Sequence, residues 1–241
     1  MIYDDLTMKE FDEIRNEKTI VILPVGVIEE HSSHLPLSTD SIQAEYVCRE
    51  IAKRMNALLL PPIRYGVCSS TKNFPGSISI SFDTLRSLIK DILVDLHRNG
   101  IKNVVIISGH AGRSHMAAMK IAAEDVLKDR KMRIMLLTDY DIIPSLGEKY
   151  MPKGDGHAGF AETSRVLAIR PDLVKGREKE HYAEFPDFVI LRHPEKYFPL
   201  GVMGGNPENA SAEIGKEINE KVIDIIEDRI NKMMELNLGE L

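Results

Sequence analysis

Short continuous apolar runs alternate along the chain with longer segments in which apolar residues recur every three or four positions. Four runs have the pattern of parallel strands buried on both faces: 19–25, 57–60, 103–108 and 133–138. Three longer segments between them have helical spacing: 41–56, 83–100 and 114–128. The alternation predicts an α/β protein, a three-layer α/β/α sandwich with a mostly parallel central sheet.

Local signals predict where several elements begin and end. Thr7 begins a capping box, Asp83 is placed to cap a helix, and Gly100 stands where a glycine would end that helix. The last helix is predicted over 210–236, with an apolar stripe that suits packing against the core or another subunit. Residues 63–80, rich in Gly, Ser and Pro, are predicted to form a long connection of the kind that often carries function.

Composition and charge restrict the classes of function. The 241 residues are 43% hydrophobic and 28% charged without a linker pattern, which favours one domain over 1–241. The net charge is −6 and basic residues are scattered, so we expect a small-molecule partner and no nucleic acid. Neither a signal peptide nor a long apolar span is found, and we expect a cytoplasmic protein without membrane contact. Cys48 and Cys68 lack metal-ligand or redox spacing and are predicted to be buried or spectator thiols.

A dense group of nitrogen and oxygen donors follows the first predicted strand. It contains Glu29, Glu30, His31, His34 and Asp40, and no lysine or arginine accompanies them between positions 23 and 40. Buried carboxylates and imidazoles are costly unless they are paired, and a divalent cation is the most economical partner. An ordinary solvated turn would account for one such pair, but the full group predicts a metal site at the strand end.

Two further segments carry donors near predicted strand ends. His110 follows the strand at 103–108 between two glycines, so it should project into the same crevice, although a histidine that caps the next helix is the alternative. His157 and Glu162 occupy the glycine-rich segment 154–164 before a probable helix. Taken alone, Glu162 would be explained as compensation of the helix dipole.

The three segments together resemble the creatininase family of metal-dependent hydrolases. The family pattern Leu-Pro-x-Gly-x-x-Glu-x-His-Gly-x-His-Leu-Pro-x-x-x-Asp is met from Leu23 to Asp40, except that Ser32 stands where the family has glycine. Further matches extend the resemblance over nearly the whole chain: the glycine-histidine turn at His110, 74–77, 157–164 and 204–210. The resemblance implies a creatininase-like fold and a homo-oligomer, a hexamer in relatives.

The resemblance also implies a site for two divalent metal ions per subunit. Asp40 would bridge the ions, Glu29 and His110 would complete one site, and His31 would belong to the other. Histidine and carboxylate ligands suit zinc, manganese and iron alike, so the metal stays open.

One ligand departs from the family pattern. Creatinine-hydrolysing members have a glutamate two residues after the histidine that matches His110, but this chain has Gly112 there. Glu162 is our candidate for the missing carboxylate. His34 is expected to orient a ligand through a hydrogen bond, and Glu30 to face away from the metals.

The activity that the resemblance implies is hydrolysis of a non-peptide C–N bond in a small cyclic amide or formamide. Two close divalent ions activate water and polarise a carbonyl group, and His157 would carry a proton to the departing nitrogen. Arg113 and Ser77 are candidate substrate contacts, although a surface arginine and a plain turn explain them equally well. Creatinine-specific members use tryptophans around their substrate, and this chain has none, so creatinine is not the expected substrate.

Three alternative functions stay open at this point. The first is deformylation of a formylamino-pyrimidine nucleotide, an activity of archaeal relatives in flavin and deazaflavin biosynthesis. The second is hydrolysis of a carbon–carbon bond in a cyclic diketone. The third is metal binding without turnover.

Overall fold

Four parallel strands form the central sheet of the protein, in a computed structural model that describes residues 1–238. Their order across the sheet is β2-β1-β3-β4. Their bounds are β1 Ile20–Val25, β2 Leu58–Leu59, β3 Asn103–Ser108 and β4 Arg133–Thr138. The strands lie close to the predicted runs, and β3 is buried along its whole length, as expected of a central strand.

Within the described residues, six α-helices cover the two faces of the sheet. They are α1 Met8–Ile14, α2 Thr39–Arg54, α3 Phe82–Arg98, α4 Arg113–Leu127, α5 Phe160–Ile169 and α6 Ala212–Glu235. Alternate strand residues point to opposite faces: Ile22 and Val105 join a core with α2 and α6, whereas Val21 and Val104 join a core with α3 and α4. This arrangement is the predicted α/β/α sandwich.

Helix caps agree with the sequence at most predicted positions. Thr7 and Glu10 form the predicted capping box, and Gly100 follows α3 with a φ of +86° that suits glycine. The predicted cap of α3 was wrong: Ser81 accepts the N–H of Thr84 at 3.1 Å, whereas Asp83 lies inside the first helical turn. A cap must precede the helix, because its oxygen reaches forward to an N–H two or three residues later.

A buried ion pair connects the end of β4 with α5 and α6. Arg165 donates to Asp139 at 2.5 Å and to the side-chain oxygen of Asn219 at 2.8 Å, and all three side chains are buried. At Gly215 a Cβ atom would lie 1.8 Å from the carbonyl oxygen of Ser164, so α6 can approach α5 this closely only with glycine there. These contacts fix α5 against the sheet.

All four strands run in one direction, so the segments that follow them meet at one edge of the sheet. The loops after β1, β3 and β4 and the connection at 63–80 converge there. None of the helices within residues 1–238 combines the length and the apolar character that crossing a membrane requires.

Candidate metal centre

The structure brings the five predicted ligands together at this edge. Glu29 and His31 follow β1, Asp40 lies in the first turn of α2, His110 follows β3, and Glu162 lies in the first turn of α5. All five side chains are buried. Residues far apart in the chain therefore form one cluster, because parallel strands end at the same edge.

Asp40 lies between two pairs of donors. One of its oxygens, Oδ2, is 3.3 Å from His110 Nδ1, which is itself 2.8 Å from Glu29 Oε2. The other oxygen, Oδ1, is 3.1 Å from His31 Nε2, which lies 3.5 Å from Glu162 Oε2. Each carboxylate oxygen of Asp40 thus faces one imidazole and one further carboxylate.

The two imidazoles are oriented by backbone carbonyl groups. His31 Nδ1 donates to the carbonyl of Glu29 at 3.2 Å, and His110 Nε2 donates to the carbonyl of Val67 at 3.2 Å. A carbonyl only accepts, so these nitrogens carry protons, and in the neutral form that binds a metal the opposite nitrogens keep their lone pairs. Those lone pairs point at the carboxylates, which is the arrangement that metal-binding histidines adopt.

Several atoms of this cluster lack any hydrogen-bond partner among the described residues: Glu29 Oε2, His31 Nε2 and Asp40 Oδ2. No lysine or arginine within residues 1–238 forms an ion pair with the carboxylates of the cluster. Burial lowers the pKa of His31, but Asp40 and Glu162 outweigh it and raise that pKa to about 10. The surplus of negative charge and the unpaired donors fit divalent cations.

Backbone contacts hold these ligands in place. At Gly109 a Cβ atom would lie 2.1 Å from the carbonyl oxygen of Asp40, so the turn after β3 touches the start of α2. Asp155, which we did not predict, accepts the N–H groups of Phe160 and Ala161 at 2.7 and 2.9 Å. It thereby fixes the first turn of α5, which carries Glu162.

His157 lies beside the cluster, and its partner is Glu30. The ring of His157 is 4.3 Å from that of His31, and Nε2 donates to the Glu30 carbonyl at 2.8 Å, with Glu30 Oε1 3.2 Å away. Glu30 Oε2 accepts the N–H of Ser32 at 2.9 Å. Burial and His31 lower the pKa of His157, but Glu30, Glu29 and Glu162 raise it above its usual value. Glu30 is therefore buried against His157, a contact that the sequence did not indicate.

The remaining predicted residues surround this core of the site. His34 is buried and hydrogen-bonds Thr163 Oγ1 at 2.9 Å, next to Glu162, and burial lowers its pKa to about 4. Ser77 Oγ accepts the N–H of Glu30 at 2.9 Å. Arg113 is the exposed first residue of α4 and does not line the cavity described below. Substrate contacts by Ser77 and Arg113 stay predictions.

A cavity of about 190 Å³ opens onto the ligand cluster. His157 and Ala111 line it together with predicted ligands and two glycines, and so do Ser70, Tyr140 and Met203, which we did not predict. Tyr140 follows β4, so its place after a strand end could have indicated it. Ser70 and Met203 belong to irregular segments, and no sequence pattern places them here.

Gly112, where the resemblance led us to expect a glutamate, also lines the cavity. A Cβ atom at Gly112 would lie 2.3 Å from His110 Nε2. No larger side chain fits here unless that imidazole moves. Glu162 approaches the cluster from α5 instead, and its Oε2 also accepts the N–H of Ala158 at 2.6 Å.

Comparisons with known proteins identify the family. The family model described as creatinine amidohydrolase, Creatininase, matches residues 4–230. The chain belongs to the creatininase family. It is 29% identical over 247 residues to creatinine amidohydrolase of Pseudomonas putida, with 95% of each chain covered. It is 30% identical over 227 residues to mycofactocin precursor peptide peptidase of Mycobacterium ulcerans, covering 87% of this chain and 84% of that protein.

Solved structures give the same result for the fold. A crystal structure of creatinine amidohydrolase has a TM-score of 0.89 and 26% identity, with 98% of both chains covered. Structures with the same TM-score include one named as a manganese creatininase and one as a mutant creatininase of the Zn-Zn type. The predicted family and fold are confirmed, and the protein is a creatininase-family hydrolase.

Proposed function

We propose that the protein is a metal-dependent amidohydrolase that binds two divalent ions and hydrolyses a C–N bond of a small cyclic amide or formamide. The observation that carries this proposal is the place of Asp40 between two donor pairs, with one carboxylate oxygen towards each. Two comparisons support this proposal. A relative is named creatinine amidohydrolase, and solved structures are named as a manganese creatininase and as a mutant creatininase of the Zn-Zn type.

The chain's own residues suggest how the ions would be held. Glu29 and His110 would bind one ion, His31 and Glu162 the other, and Asp40 both. Two divalent ions, when bound, lower the pKa of water and polarise the substrate carbonyl. Polarisation of the carbonyl group in this way would stabilise the negative charge that develops on its oxygen.

His157 is the candidate proton carrier of the reaction. It borders the cavity beside His31, while its Nε2 proton is engaged by Glu30. This contact fixes the ring and leaves Nδ1 as the nitrogen available for exchange with the departing amine. General acid–base assistance of this kind contributes about 10²–10⁴-fold to the rate.

The size and lining of the cavity restrict the substrate. A volume of about 190 Å³ is smaller than that of sites for drug-sized ligands, so it suits a small molecule. Among the described residues that line it, none is lysine or arginine. A nucleotide phosphate would meet no basic side chain there, which disfavours the deformylase alternative.

A short peptide is the second candidate substrate. The relative from Mycobacterium ulcerans is named as a peptide peptidase, and a peptide bond is chemically an amide. The cavity could accept the terminal residue of such a peptide while the rest lay outside it. The non-peptide character of the substrate is therefore a proposal.

The test is a hydrolysis screen of metal-loaded protein over cyclic amides, formamides and short peptides. The measured quantity is the release of the amine. We expect turnover of at least one amide, reduced about 10²-fold or more in His157→Gln with its metal content unchanged. His97→Gln in the last turn of α3 is the control and should keep full activity. Hydrolysis of cyclic diketones alone, or no turnover at full metal content, would contradict the proposal.

A further inference from the structure

A cysteine thiol lies against one of the two donor pairs. Cys68 is fully buried in the connection between β2 and α3. Its sulfur, a carboxylate oxygen of Glu29 and a ring nitrogen of His110 all lie within 4.8 Å of one another. The sequence spacing suggested a spectator thiol, but the fold brings this sulfur to the ligand cluster.

The donors of this group are directed at one another and need a common partner. Glu29 Oε2 is buried and has no hydrogen-bond partner among the described residues, while Oε1 accepts the hydroxyl of Thr71. His110 uses its Nε2 proton on the carbonyl of Val67, so its Nδ1 lone pair faces Glu29. An unpaired buried carboxylate oxygen beside a lone pair and a sulfur indicates a cation site.

The backbone of Val67 and Cys68 fixes this arrangement. The carbonyl of Val67 orients His110, and the next residue supplies the sulfur, while the N–H of Cys68 donates to Ser79 Oγ at 3.0 Å. His115 Nδ1 accepts the N–H of Val67 at 3.2 Å. Two adjacent residues therefore hold the imidazole and the thiol in fixed positions relative to each other.

We propose that Cys68 is a thiolate ligand of the metal ion at the Glu29–His110 position. This proposal rests on the proposed metal-dependent function and deepens it. On binding, the thiol loses its proton to solvent as the metal–sulfur bond forms.

The two metal positions would then differ in preference. The position with Cys68 offers sulfur, nitrogen and oxygen, which favours zinc, cobalt or ferrous iron over manganese. The position of His31, Asp40 and Glu162 offers only nitrogen and oxygen. We therefore expect Cys68→Ser to weaken zinc binding about 10–100-fold at one position and to change manganese binding less than about 3-fold.

The test uses cobalt(II), added alone to metal-free protein, because cobalt reports its ligands by absorption. A thiolate ligand produces a sulfur-to-cobalt band in the near ultraviolet, whereas nitrogen and oxygen ligands produce only visible bands. We expect the near-ultraviolet band in the wild type and its loss in Cys68→Ser, which keeps its visible bands. Cys48→Ser is the matched control and should keep both, since Cys48 is buried in the core on α2 and joins no donor cluster of the described residues.

The outcomes separate this proposal from the proposed function. Cobalt bound with visible bands but without the near-ultraviolet band would overturn the role of Cys68 and leave the metal centre intact. A wild type that binds no cobalt would overturn both. If Cys68→Ser does not fold, X-ray absorption of zinc-loaded Cys48→Ser decides: a sulfur neighbour of zinc supports the proposal, and only lighter neighbours contradict it.

Discussion

Single residues beside the candidate metal ligands are expected to control the placement of the proposed catalytic group. Glu30 is the clearest example, because its carboxylate touches His157. It lies between two candidate ligands in the chain, yet it joins none of the groups of described residues that could hold a metal. Its carboxylate accepts from His157 on one oxygen and from Ser32 on the other. We therefore predict that Glu30 positions His157, the proposed proton carrier.

Replacing Glu30 tests this role. We expect Glu30→Ala to lower kcat about 10–100-fold with little change in KM, because only the backbone carbonyl would then hold the His157 ring, and the loosened ring is misplaced in the transition state rather than during binding. Glu30→Gln keeps one accepting oxygen and should retain more of kcat. The measurement is steady-state kinetics on the substrate from the screen, with metal content determined for each variant. A rise in KM at unchanged kcat would show that Glu30 does not position His157.

At the level of elements, the buried pair between Arg165 and Asp139 connects α5 with the end of β4. Arg165→Leu leaves the Asp139 carboxylate buried without its partner, and we expect a loss of about 3–5 kcal/mol in the free energy of unfolding. Urea denaturation measures the change. Lys120→Ala is the control, because it removes an exposed pair with Glu124 on α4 and should cost less than about 1 kcal/mol. Equal losses in the two variants would contradict the role of the buried pair.

At the scale of the whole molecule, the layers could be predicted because they follow from periodic patterns, whereas the ligand assignments came from donors in loop segments and from the resemblance. Continuous apolar runs such as Asn103–Ser108 indicate parallel strands, and donors after such strands must meet at one edge. Ser32, where the resemblance calls for glycine, has a φ of +61°, a conformation that glycine adopts without cost.

Other parts of the site depend on contacts that no local pattern encodes. The thiol of Cys68 and the hydroxyl of Ser70 come from the irregular connection between β2 and α3, whose path is determined by long-range packing. Glu30 differs from Glu29 only in the direction of its side chain, and a loop sequence does not fix that direction. Homo-oligomer formation, as a hexamer, stays a prediction from the resemblance.

The central claim, a site for two metal ions joined by Asp40, is tested most directly by elemental analysis of protein purified without added metal. We predict about two divalent ions per chain in the wild type and the loss of both in Asp40→Ala, because one side chain serves both positions. Glu50→Ala, on the same helix, should keep them. Fewer than about half an ion per chain, unchanged in Asp40→Ala and not restored by zinc, manganese or iron, would contradict the account.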